Sequence, residues 1–341
     1  MTAEADEFVP ADAHPSEKDL INFSPSHPES LTRMLICKCH TGSRLFKHGF
    51  TVPWNIKSRK KQHSKGSVAG FEFITLPDAS GDCPQRKREA IVIDCEMVEV
   101  TDGRREVAFM TALDFLTGEI LINHYVQPRS RVINWNSRYS GVVPSAMRAA
   151  VSSGYALTWD GARDLLCKYG DTETVLIGHA LNNDLDVLGI VHLNIVDSSI
   201  LTCDAVFPDL PSDKAQPRSW GLKTLTKEFL GYDIQNSKNG HSAMEDAYAT
   251  REVVTWCITQ PDRLNEWATW HRKIEDERQA EREKKREEDR KKKAAEAKKK
   301  AEEAKNKAEE NGEDTNWYAS TYSLSLCSSI RTRLIMDIMV K

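Results

Sequence analysis

No apolar run in this 341-residue chain is long enough to span a bilayer, and none stands near its acidic N-terminus. A membrane helix needs about 20 such residues and a secretory signal about 7–15, so neither a span nor a leader is expected. Positive charge is not in excess: 47 Lys and Arg stand against 51 Asp and Glu, for a net charge of −4. The chain as a whole is not drawn to nucleic acid, so any positive footprint must be local. Paired metal-binding cysteines are missing as well. The closest approach to a zinc knuckle is Cys37-Lys38-Cys39-His40, with His48 and His63 downstream. C-x-C is not the usual C-x₂₋₄-C spacing and no second close pair follows. The eight scattered cysteines are therefore read as reduced thiols of a cytosolic or nuclear protein. No internal repeat is evident. At 40% hydrophobic and 8% aromatic the chain supports one proper core, and its length allows one or two domains.

What the chain does have is three acidic motifs in a fixed order: Asp94-Cys95-Glu96, then Asp184 within Gly178-His179-Ala180-Leu181-Asn182-Asn183-Asp184, then His241-Ser242-Ala243-Met244-Glu245-Asp246. In the first, Ala90-Ile91-Val92-Ile93 is an apolar run of the kind buried on both faces of a sheet. Asp94 and Glu96 are two apart, so on a strand both side chains leave one face. Two such carboxylates repel each other and lose hydration, and a divalent cation between them resolves both problems. D-x-E alone is common and carries little weight by itself.

The third motif is more specific. Ser242 and Glu245 form an S-x-x-E capping box, which makes Ser242 the N-cap of a helix, His241 its N′ residue and Asp246 its N4 residue. N′ and N4 meet in space at a helix start, so a histidine and an aspartate converge there. Ala247, Ala249, Thr250, Val253, Val254 and Cys257 continue the helix with an apolar side. In the middle motif, Thr174-Val175-Leu176-Ile177 reads as a strand and Gly178 as its tight exit. Leu181, Leu185 and Leu188 then fall at helical spacing. Asp184 and Asp186 lie about 200° apart around that helix, so only one of them faces a site and the other is a solvated charge.

Around these motifs the chain divides by composition. Residues 1 to about 85 are rich in Pro, Ser, His and Lys, and are expected to be a low-order lead. It carries a basic cluster from Lys57 through Lys65, followed by Arg86-Lys87-Arg88, suited to phosphate contact or nuclear import. Val107–Phe115 and Glu119–Val126 read as a hairpin turning at Thr117-Gly118, after which helices alternate with strands. The expected domain runs over 86–270, and a fragment of about 85–270 is expected to fold and stay active. Residues 271–311 are almost wholly Glu, Lys, Arg and Ala with no a/d stripe, which predicts an isolated charged helix or disorder rather than a coiled coil. Residues 312–341 read as an unstructured tail.

The wording of these motifs resembles the DEDDh 3′–5′ exonuclease superfamily over about residues 88 to 258, in its eukaryotic RNA exonuclease branch, of the RNA exonuclease 4 or interferon-stimulated exonuclease type. The resemblance rests on Asp94-Cys95-Glu96-Met97-Val98, Ser140-Gly141-Val142, Gly178-His179 with Asn183-Asp184, Asp197-Ser198-Ser199, Leu222-Lys223-Leu225, and Gly240-His241 with Glu245-Asp246-Ala247. The chain departs from the family in having Asn134-Trp135-Asn136-Ser137 where Asp-Tyr-x-Thr is usual, and Ser198 where a threonine is usual. The family's aspartate falls five residues after the Gly-His histidine, which selects Asp184 over Asp186.

The resemblance implies a ribonuclease H-like mixed five-stranded sheet flanked by helices. It also implies two Mg²⁺ or Mn²⁺ ions held by Asp94, Glu96, Asp184 and Asp246, with His241 as general base, since an imidazole accepts a proton near neutrality. All-oxygen ligands suit such hard cations. Met97 and Arg138 would approach the terminal nucleotide. The expected substrate is the 3′ end of single-stranded RNA, the products 5′-mononucleotides, the task RNA processing or ribosome biogenesis, and the place the nucleus or nucleolus, with the cytoplasm as alternative. No membrane partner is expected. Two other readings stay open: a DNA exonuclease, because this chemistry acts on phosphate and does not sense the 2′-hydroxyl, and a non-catalytic nucleic-acid-binding module of the same fold.

Overall fold

The structure is a computed structural model that describes residues 28–56, 68–69, 72–79, 87–211, 218–237 and 240–310. Its centre is one mixed sheet. Strand β2 (Ala90–Val100) pairs antiparallel with β3 (Arg105–Asp114), which pairs antiparallel with β4 (Ile120–Tyr125) across a turn at Gly118 with φ +75°. On its other side β2 pairs parallel with β6 (Val175–Gly178), which pairs parallel with β8 (Ile195–Asp197). The resulting order β4-β3-β2-β6-β8 is that of the ribonuclease H-like fold. A sixth strand, β5 (Val132–Asn134), joins the far end of β2, and β1 (Ile74–Thr75) makes a separate parallel pair with β7 (Ile190–Val191).

The period-2 alternation of β2 feeds two cores. Ala90 and Val92 pack on one face with α7 (Ser198–Val206), α8 (Leu222–Leu230) and α9 (Ala243–Thr259). Ile91, Ile93 and Cys95 pack on the other with α5 (Trp159–Tyr169) and α6 (Asn182–Leu188). Between these elements lie α3 (Ser137–Ser140) and α4 (Pro144–Ser152).

The expected low-order lead is corrected over residues 28–56. This segment forms α1 (Pro28–Ile36) and α2 (Gly42–Lys47), the latter capped by the Thr41 side chain accepting from Arg44 N–H. Leu31 and Leu35 enter the first core; Leu45, Phe50 and Val52 enter the second, all at 5% exposure or less. Both faces of the sheet are closed by these residues, so the domain extends N-terminally of residue 86. The stabilisation from burying side chains of this size is about 1.5–3 kcal/mol each, and five of them match the whole stability of a typical domain, about 5–15 kcal/mol. A fragment of residues 85–270 is therefore expected to lack a cooperative melt, whereas one of residues 28–272 melts cooperatively; far-UV circular dichroism of the two decides this.

Cys37, Cys39 and His40 follow α1 in ordered chain. They do not gather into a metal site. The His40 ring turns instead to Asp197, whose backbone N–H reaches Nε2 at 3.0 Å. The described cysteines Cys37, Cys39, Cys95, Cys167, Cys203 and Cys257 are free thiols. The basic cluster from Lys57 to Lys65 and the tail 312–341 lie outside the described residues.

The described residues to Arg272 form one compact unit and the described residues from Lys273 a second. The helix α10 (Pro261–Glu310) begins in the first, where Leu264, Trp267 and Ala268 are buried. In the second it is exposed and laced by intrahelical pairs, such as Glu287 with Arg290 at 2.7 Å and with Lys291 at 3.7 Å. No helix among the described residues is long and apolar enough to cross a membrane.

Candidate metal and catalytic site

The parallel pairing of β2 with β6 runs only from Ala90–Val175 to Val92–Ile177. Beyond it β6 ends at Gly178 and β2 continues, so the strand opens a cleft at the point where its carboxylates stand. Asp94 and Glu96 extend the face that carries Ala90 and Val92, the face covered by α9. A register shift between Glu96 and Met97 ends that alternation directly after the second carboxylate.

From the α9 side comes Asp246. Ser242 is the N-cap of α9, its hydroxyl accepting from Glu245 N–H at 3.4 Å. Only half of the expected capping box forms, because the Glu245 carboxylate accepts from Gln235 N–H at 2.9 Å. The N′ and N4 residues do converge: His241 Nδ1 lies 3.7 Å from Asp246 Oδ2. Asp94, Glu96 and Asp246 each offer an oxygen within 4.8 Å of the others, and they are the group of this kind found among the described residues.

Asp184 arrives from the opposite face of the sheet. With β6 gone, the Cys95 N–H has no strand partner, and Asp184 Oδ1 accepts it at 2.8 Å. The turn that delivers it is built on Asp197, fully buried, which accepts from Ala180 N–H at 3.2 Å and Leu181 N–H at 2.8 Å and caps α7 through Ser199 N–H at 2.9 Å. Ala180 takes a left-handed φ of +54° in this turn. Asp186 is not the solvated charge expected: it is half-buried and accepts from the Thr51 hydroxyl at 3.4 Å.

His241 is held by its backbone. Its N–H donates to Tyr139 O at 2.7 Å, and the preceding Gly240 has φ +99°. A Cβ on Gly240 would lie 2.5 Å from Gly141 N and from Ser137 O, so only glycine lets the Ser140-Gly141 turn approach the histidine loop. Glu96, Phe109, Tyr125, Ser140, Val142 and His241 line a cleft of about 140 Å³ there. Arg138 is exposed on α3, and Met97 is half-buried against the second core.

The carboxylates are costly in one another's company. Burial, with Asp184, Asp246 and Glu96 nearby, holds the Asp94 carboxyl well above its ordinary range. Burial and the charges of Asp246 and Asp184 push Glu96 up to about 8. Burial carries Asp184 up to about 7 against the bond from Cys95, and Asp246 up to about 6 against the bond from Gln235. Glu96 Oε1 is buried without a hydrogen-bond partner. An unpartnered carboxylate oxygen beside three more carboxyls fits a hard divalent cation.

The sign of the pH effect follows. Each group binds its proton more tightly folded than unfolded, so the stability it contributes is full below the unfolded value near ~4. That stability is lost as pH rises through about 6, 7 and 8 for Asp246, Asp184 and Glu96. Metal-free protein is expected to melt several degrees lower at pH 8.5 than at pH 5.5, and Mn²⁺ to remove most of the difference; differential scanning fluorimetry in chelator and in Mn²⁺ checks it.

Gln235 is the residue of this site that the sequence motifs omit. Its Nε2 donates to both oxygens of Asp246, at 3.1 and 3.0 Å. It lies in a loop without periodicity, and its partner is fixed only by the fold.

Among curated proteins the chain is similar to RNA exonuclease 3 of Candida albicans, 34% identical over 173 residues, covering 50% of this chain and 39% of that protein. It is also similar to exonuclease GOR of Pan troglodytes, 29% identical over 204 residues, covering 59% of this chain and 27% of that one. The chain thus spans well under half of these relatives' length. A solved structure, the Pan2 pseudoubiquitin hydrolase–RNA exonuclease module of Saccharomyces cerevisiae in complex with AAGGAA RNA, aligns at 18% identity with a TM-score of 0.46, over 69% of this chain and 38% of that chain. That likeness is too loose to argue from. No family model matches the chain.

Proposed function

We propose that this chain is a metal-dependent 3′–5′ exoribonuclease releasing 5′-mononucleotides from single-stranded RNA. The observation that carries this reading is the convergence of Asp94, Glu96 and Asp246 within 4.8 Å, with Asp184 on the neighbouring Cys95 N–H and His241 at 3.7 Å from Asp246. Similarity to proteins named as RNA exonucleases supports RNA as the substrate.

Asp94, Glu96 and Asp246 would hold one Mg²⁺ or Mn²⁺, and Asp94 with Asp184 a second. Bound there, the cations supply an activated water and stabilise the leaving 3′-oxygen. His241 takes the proton of the attacking water. It suits that task by position: 37% of its side chain is exposed, its backbone is pinned to Tyr139, and its ring stands at the cleft beside Glu96. The Asp246 carboxylate faces the imidazole, with Oδ2 3.7 Å from Nδ1. Arg138, exposed on α3, and Met97, half-buried against the second core, would approach the terminal nucleotide.

The motif wording supports the RNA exonuclease 4 or interferon-stimulated type, while the relatives found are named RNA exonuclease 3 and GOR. RNA processing in the nucleus or nucleolus is the task we assign, on the basic cluster Lys57–Lys65; the cytoplasm is the alternative. The test is degradation of matched single-stranded RNA and DNA oligomers in Mn²⁺. Faster loss of RNA supports the proposal, preference for DNA replaces it with the deoxyribonuclease reading, and binding without cleavage of either leaves the non-catalytic module.

A further inference from the structure

Gln235 holds Asp246 in an uncommon way. Its amide nitrogen is nearly equidistant from the two carboxylate oxygens, at 3.1 and 3.0 Å. A donor so placed stands in front of the carboxylate, where a cation must sit to take both oxygens at once. Gln235 is itself strained and over-determined. Its φ is +58°, a left-handed value rare outside glycine and asparagine. The position is enforced from several directions: its N–H donates to Glu245, its carbonyl accepts from Lys223 Nζ at 3.5 Å, and the preceding Ile234 is 2% exposed. Lys223 also donates to Asn236 Oδ1 at 2.8 Å, tying the same loop to α8. Strain kept in place by its surroundings is a feature of functional sites.

We propose that Gln235 is a positioning residue that restricts Asp246 to offering a single oxygen to a bound cation, and that it thereby sets the site's preference for Mg²⁺ or Mn²⁺ over Ca²⁺. The inference rests on the metal-site reading above. Mg²⁺ demands a compact octahedral shell and takes carboxylates through single oxygens. Ca²⁺ takes six to eight oxygens in a flexible shell and readily binds a carboxylate through both. With the Gln235 amide bonded to both Asp246 oxygens from between them, that side is closed to a cation, which must approach one oxygen from outside, and the larger shell cannot fill. Asp94 and Glu96 make the site electronegative enough to attract either cation, so charge alone does not discriminate.

The test is isothermal titration calorimetry of the full chain with Mn²⁺ and, separately, with Ca²⁺. Two variants are compared with wild type. Gln235→Gly removes the amide and relieves the φ. Gln235→Asn keeps a residue that tolerates the left-handed region but carries its amide on a side chain one carbon shorter. In both, the preference for Mn²⁺ over Ca²⁺ is expected to narrow by roughly tenfold, the lower end of what outer-shell partners of metal ligands contribute. An unchanged preference overturns the inference while leaving the metal site standing. Equal weakening of both cations also overturns it, reducing Gln235 to a structural support of Asp246. Failure of wild type to bind either cation takes down the metal-site reading, and this inference with it.

Discussion

Asp94→Asn is expected to leave a folded chain with hydrolysis reduced about 10³-fold or more in saturating Mg²⁺. A cation pair lowers the barrier by several kcal/mol, and each 1.36 kcal/mol is a factor of ten. Asp94 stands where those interactions meet, midway along β2, where burial and the nearby carboxyls of Asp184, Asp246 and Glu96 raise its own carboxyl well above the ordinary range. Asparagine keeps the shape and takes one carboxyl out of the crowded cluster. The metal-free variant should therefore melt at or above the wild-type temperature at pH 8, which separates lost chemistry from lost folding. A variant that retains more than a tenth of the wild-type rate ends the two-cation assignment.

His241→Ala is expected to lower turnover by about 10²–10⁴-fold, the contribution of a positioned general base, with Mn²⁺ affinity nearly unchanged. His241 lies 3.7 Å from Asp246 and lines the cleft with Glu96, close enough to act on a water between them without ligating. Its backbone bond to Tyr139 does not involve the ring, so the loop should hold its place in the variant. Calorimetry that finds Mn²⁺ affinity falling as far as in Asp246→Ala would make the histidine a ligand, and the DEDDh assignment would be withdrawn.

The grouping of the candidate site residues is more legible in the sequence than the extent of the domain. Asp94 and Glu96 could be placed on one face because a strand has period 2, and the structure keeps both on the α9 side before the register shift at Met97. His241 and Asp246 could be paired because N′ and N4 meet at any capped helix start, and Ser242 is that cap. Both inferences use local geometry. The segment 28–56 is not legible in the sequence because its helices are short and separated by turns, in a region whose average composition is Pro-, Ser- and Lys-rich. Leu31 and Leu35, at i and i+4, were the available signal, but two residues are too few to distinguish a helix from chance. Asp186 was read as solvated because its partner Thr51 belongs to that same segment. Gln235 escaped for a different reason. It acts by side-chain bonds to a residue 11 positions away, a relation that no periodicity encodes.

The most direct measurement of the central claim uses 5′-labelled single-stranded RNA, with the released nucleotides identified by chromatography. Wild-type protein in Mn²⁺ is predicted to shorten the strand one residue at a time from the 3′ end and to release 5′-monophosphates; chelation should abolish the reaction, and a 3′-blocked strand should resist it. Internal fragments, 3′-monophosphates, or cleavage that persists in chelator would contradict the assignment of Asp94, Glu96, Asp184, Asp246 and His241 as a metal-dependent exonuclease site.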